Sequence, residues 1–90
     1  MVAKGFAFNT KTITVPAGAK VTINFDNQDD GVPHNVAFYE TSAAQKSIFV
    51  GQRIVGAAKT TYTFTAPATP GTYYFRCDVH PSMNGNFMVT

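Results

Sequence analysis

Ninety residues with a formal charge of +2 and one cysteine set narrow bounds on what this chain can be. The length suits one hydrophobic core over residues 1–90, the lone cysteine excludes an internal disulfide, and the scattered lysines and arginines exclude a nucleic-acid-binding stripe. No apolar run is long enough to cross a bilayer, and the opening MVAKGFAF lacks a signal-peptide apolar region, so any export signal is expected to be absent from this chain.

In chain order, KTITV (11–15) alternates β-branched and polar residues, and PAGAK supplies Pro16 and Gly18 as turn punctuation. KVTINFDN (20–27) follows with period two, placing Val21, Ile23 and Phe25 on one face. NQDDGVP (27–33) is a loop by composition, and the acidic knot of Asp26, Asp29 and Asp30 around its start is expected to be solvated. HNVAFYE (34–40) is read as one strand. TSAAQKS (41–47) is the only segment that admits a helical turn, with Thr41 or Ser42 as N-cap. SIFVG, TYTFTAP, TPGTYYFRC and GNFMVT complete the strands, the third opened by a Pro70–Gly71 turn. Seven to eight short strands with almost no helix predict an all-β fold, a Greek-key antiparallel β-sandwich or barrel whose core takes the eight phenylalanines.

Alternation along TYYFRC puts Tyr73, Phe75 and Cys77 on the inner face, because Arg76 on the other needs solvent or a partner. Cys77 then points inward at the sheet's rim. Taken singly, Cys77 is a small hydrophobe, His34 is a loop residue, Met83 is a gap-filler and Asp78 is solvated. Taken together, one thiolate, two imidazoles and a thioether form a donor set suited to a copper ion that cycles between two oxidation states. The spacing C-x2-H-x2-M lets one short loop carry Cys77, His80 and Met83, which leaves His34 as the fourth donor. Pro33 and Pro81 flank the two histidines and stiffen both approaches.

Four segments, VPAGAKVTINFDN, PHNV, TFTAPATPGTYYFRCDVHPSM and GNFMVT, resemble the type 1 (blue) copper proteins of the cupredoxin family over nearly the whole chain. The ligand loop is most similar to the amicyanin type; plastocyanins typically place more residues between the last His and Met. The resemblance implies one type 1 copper held by Nδ1 of His34 and His80, the thiolate of Cys77 and Met83 as long axial ligand. It implies that Asn35 ties the two ligand-bearing loops together, and that an apolar patch near Val32, Pro33, Val79 and Pro81 is the electron port beside His80. The expected function is one-electron transfer without enzymatic bond chemistry, in a monomer that docks redox partner proteins at that end. The expected setting is periplasmic or otherwise extracytoplasmic. Competing readings are copper storage or delivery, the copper domain of a larger redox protein, a zinc site, a thiol hydrolase built on Cys77, and a metal-free interaction domain.

Overall fold

The computed structural model describes residues 1–90 as eleven short strands and no helix. They are β1 (Val2–Lys4), β2 (Ala7–Phe8), β3 (Thr12–Val15), β4 (Lys20–Asn27), β5 (Pro33–His34) and β6 (Ala37–Tyr39). β7 (Ser47–Val50), β8 (Ile54–Val55), β9 (Ala58–Thr65), β10 (Gly71–Arg76) and β11 (Asn84–Val89) complete the chain. One sheet runs β2-β1-β4-β9, a second runs β3-β11-β10-β6-β7, and β5 and β8 form a two-stranded ribbon.

The alternation expected along β4 is present: Val21, Ile23 and Phe25 are buried, and Lys20, Thr22 and Asn24 face solvent. β9 pairs antiparallel with its whole length, from Lys20↔Thr65 to Asn27↔Ala58. Residues of both large sheets meet in a cluster of fifteen buried side chains. Phe38 lies at its centre, with ring centroids 4.6, 4.9 and 5.9 Å from those of Phe64, Phe87 and Phe75. Phe6 is the exception among the phenylalanines; it is 52% exposed.

Several expectations need correction. The sheets are mixed rather than purely antiparallel, because β1 runs parallel to β4 and β3 runs parallel to β11. The opening residues form a hairpin that the sequence reading passed over, with Lys4↔Ala7 closed by a two-residue Gly5–Phe6 turn. HNVAFYE is not one strand. His34 belongs to the β5–β8 ribbon and Ala37–Tyr39 to the larger sheet, so the chain changes sheets at Asn35–Val36. Val36 and Phe38 are both buried, but so are Ala37 and Tyr39, because β6 is covered on both faces. TSAAQKS makes a turn instead of a helical one. Thr41 accepts the Ala44 N–H on its carbonyl and the Ala43 N–H on its hydroxyl, and Ala44 at φ 54° leaves the right-handed helical region.

Candidate metal centre

Cys77 follows directly after β10, facing inward as the alternation requires, and is fully buried. His34 reaches the same point from β5, also fully buried, and half-buried His80 reaches it from the loop between β10 and β11. The Cys77 Sγ lies 3.6 Å from His34 Nδ1 and 3.9 Å from His80 Nδ1, and the two Nδ1 atoms are 3.1 Å apart. A point equidistant from the corners of that triangle is about 2.1 Å from each, which matches metal–nitrogen and metal–thiolate bonds of roughly 2.0–2.3 Å. One sulfur and two nitrogens therefore already surround a space of the right size for a transition-metal ion.

The loop after Cys77 is closed by its own backbone. The Cys77 N–H donates to the Met83 carbonyl, and the Met83 N–H donates to the His80 carbonyl, both at 2.9 Å. This places Met83, 3% exposed, on the inner side of the same loop. Asn35 holds the two ligand-bearing segments together. Its Oδ1 accepts the Asp78 N–H at 2.8 Å, and its Nδ2 donates to the Gly51 carbonyl at 3.0 Å.

Asp78 is not a solvated loop residue. It accepts from Tyr39 Oη at 2.6 Å and from Arg76 Nε at 2.9 Å, while the Arg76 guanidinium lies over the Tyr39 ring, 5.0 Å from its centroid. Burial alone would raise the Asp78 carboxyl, but hydrogen bonds from Tyr39, Arg76 and Asn35 outweigh it and hold the pKa below its ordinary value. The Arg76 that opposes the inner face has thus found a partner next to the candidate ligand Cys77.

Asp29 also departs from the solvated role expected of it. Its Oδ2 sits 2.7 Å from His34 Nε2 and accepts the Phe6 N–H at 3.0 Å, and its Oδ1 accepts the Gly5 N–H at 2.6 Å. The Phe6 N–H, the His34 ring and the Gly5 N–H together lower the carboxyl below its ordinary pKa, against some burial. With its Nε2–H committed to a carboxylate, a neutral His34 leaves the Nδ1 lone pair facing Cys77 and His80. Buried Asn27 secures the loop that carries Asp29. It accepts the Asp29 N–H and donates to the Val32 and Ile54 carbonyls.

The structure thus brings His34, Cys77 and His80 to one point, keeps Met83 on their loop and places Asn35 between the loops. Val32, Pro33 and Val79 are half-buried and Pro81 is exposed. Sequence reasoning missed Asp29, Asn27 and Phe6. The Phe6 ring stands edge-on to both imidazoles, 4.9 Å from His80 and 5.6 Å from His34 between centroids.

A family model described as a cupredoxin-like domain matches residues 1–89. Auracyanin A, a "blue" copper protein from the green thermophilic photosynthetic bacterium Chloroflexus aurantiacus, is 29% identical at a TM-score of 0.82; the alignment covers 99% of this chain and 94% of that one. Dithionite-reduced auracyanin from the photosynthetic bacterium Roseiflexus castenholzii is 28% identical at a TM-score of 0.81, covering 93% of this chain and 87% of that one. Amicyanin from Paracoccus versutus is 25% identical at a TM-score of 0.66, covering 99% of this chain and 77% of that one. No curated protein sequence matches the chain.

Proposed function

We propose that this chain, which belongs to the cupredoxin-like domain family, carries single electrons by means of one copper ion held by His34, Cys77, His80 and Met83. The observation that supports this most directly is the donor triangle, whose sides of 3.1, 3.6 and 3.9 Å suit a single metal ion. Bound there, copper supplies a Cu(II)/Cu(I) couple, and soft sulfur with imidazole suits both states. The rest falls to the protein. Asp29 keeps the His34 Nδ1 lone pair turned inward, Cys77 offers a thiolate, and Met83 adds a weak donor from the same closed loop.

Strand ends and a backbone-closed loop hold these groups, so they have little freedom to move when the ion changes charge. That rigidity suits electron transfer, which involves no bond-making step in this chain. It acts as a single copper-binding domain over residues 1–90, as a monomer. Redox partner proteins dock at the apolar end around His80, where Val32, Pro33, Val79 and Pro81 lie. The likeness to auracyanins and amicyanin supports an extracytoplasmic setting, and no helix is long and apolar enough to cross a membrane.

The test is addition of Cu(II) to the reduced, metal-free protein. An intense blue thiolate-to-copper absorption is expected, and Cys77→Ser abolishes it. A colourless product from folded protein with its thiol unoxidised refutes the copper-carrier reading.

A further inference from the structure

We propose that Asp29 is a positioning residue that couples the β1–β2 turn to the metal centre, so that one carboxylate both orients His34 and locks Phe6 against His80. The inference deepens the copper reading and rests on it.

Three donors from two distant parts of the chain converge on this carboxylate: the Gly5 N–H, the Phe6 N–H and the His34 ring. The turn it grips is one the sequence disfavours. Gly5 and Phe6 both have positive φ, 61° and 58°, the pattern of a type I′ hairpin turn. Glycine tolerates that region, but a β-carbon crowds the neighbouring carbonyl, so phenylalanine there is strained. Burial does not explain the choice, since Phe6 is half exposed. Successive N–H groups aimed at one anion do explain how the turn is held, because adjacent backbone amides form a small anion-binding concavity.

His80 gives Phe6 its purpose. Cys77 is held by strand and loop, and His34 by strand and carboxylate, whereas the structure gives the Nε2 edge of His80 no protein partner. Phe6 meets the His80 ring nearly perpendicular, at 88°, a favourable edge-to-face arrangement. The ring therefore acts as a stop that limits the swing of the one imidazole lacking its own restraint. Asp29 links the two histidines through that stop.

The experiment compares wild type, Asp29→Ala, Phe6→Ala and the double variant. Each is loaded with copper, and three quantities are read: the rate of copper loss to a chelator, the reduction potential, and the thermal midpoint of the metal-free protein as a check on folding. Asp29→Ala is expected to weaken copper binding by about 10- to 100-fold, the usual cost of removing a partner of a metal-bound histidine, and to shift the potential. Phe6→Ala speeds copper loss to a smaller extent, and adds nothing once Asp29 is gone. If Asp29→Ala does not fold, Asp29→Asn replaces it, since an amide cannot accept at both positions. A copper-independent check is imidazole nitrogen NMR of the metal-free protein, in which loss of Asp29 erases the fixed Nε2–H form of His34. A blue wild type with affinity and potential unchanged in Asp29→Ala overturns this inference alone. So does a Phe6→Ala effect that persists undiminished without Asp29. A wild type that never turns blue overturns the copper reading and this inference with it.

Discussion

Replacing Asn35 with alanine tests how the two ligand-bearing segments are joined. The side chain is fully buried and makes two good hydrogen bonds, to the Gly51 carbonyl at 3.0 Å and from the Asp78 N–H at 2.8 Å. Its third contact, 3.5 Å to Asp78 Oδ2, is at the limit of a hydrogen bond and contributes little. Asn35→Ala leaves the Gly51 carbonyl and the Asp78 N–H without their side-chain partner. At about 1–3 kcal/mol for each unpaired buried group, the loss is about 2–6 kcal/mol. Asp78 is only part-buried, so water can reach its amide after relaxation, which favours the lower half, about 2–4 kcal/mol. For a domain of this size that lowers the midpoint by roughly 10–25 °C. The assay is thermal unfolding of the metal-free protein, which isolates loop joining from metal affinity. Asn84→Ala is the control, because exposed Asn84 also makes two hydrogen bonds, to the Pro81 and Ser82 carbonyls, yet should change stability by no more than about 0.5 kcal/mol. A loss in Asn35→Ala as small as in the control refutes the argument that this amide ties the segments together.

Alkaline titration gives a second test. Burial, chiefly, pushes the Tyr62 phenol up to about 12 from an ordinary 10.0, so its phenolate should appear late in the titration and be missing from that of Tyr62→Phe. Because the folded value is the higher one, this contribution to stability is complete below pH 10 and is lost as pH rises through about 12; unfolding midpoints measured up that range should fall less steeply in Tyr62→Phe. Gly85→Ala should destabilise the sandwich by about 1–3 kcal/mol, the usual cost of overpacking. Its methyl would press on the Phe75 ring, 2.6 Å from Cζ, and on the Lys11 carbonyl, forcing apart strands β10, β11 and β3. An unchanged denaturation midpoint in that variant counts against close backbone approach at this edge.

What was legible in the sequence was local. Alternation along 20–27 gives β4 at its full extent, and the same alternation turns Cys77 inward. Two residues between successive donors put Cys77, His80 and Met83 on one loop, and the structure closes that loop backbone to backbone. What was hidden depends on partners far along the chain. Asp29 resembles any acid in a turn until Gly5 and Phe6, 24 and 23 residues away, are seen to point at it. Asp78 reads as solvated until Tyr39, 39 residues away, is seen to donate to it. The break at Asn35–Val36 has no local mark either, because a segment buried on both faces loses the alternation that would reveal a change of sheet. Parallel pairing of β3 with β11 is likewise a fact of topology, invisible to any pattern within either strand.

That last pairing bears on the order in which the molecule assembles. Thr12 meets Asn86 and Val15 meets Val89, so the larger sheet is complete only when nearly the whole chain has been gathered. Contacts of such long sequence separation place a sandwich among the slower folders, on the order of milliseconds to seconds. β11 begins directly after Met83, whose carbonyl receives the Cys77 N–H, so the donor loop takes its final shape as the closing strand docks. No buried side-chain nitrogen or oxygen in the finished fold lacks a hydrogen-bond partner. Under the copper reading proposed above, the expected order is folding first and copper uptake second, whereas in a zinc finger the metal drives the chain to fold.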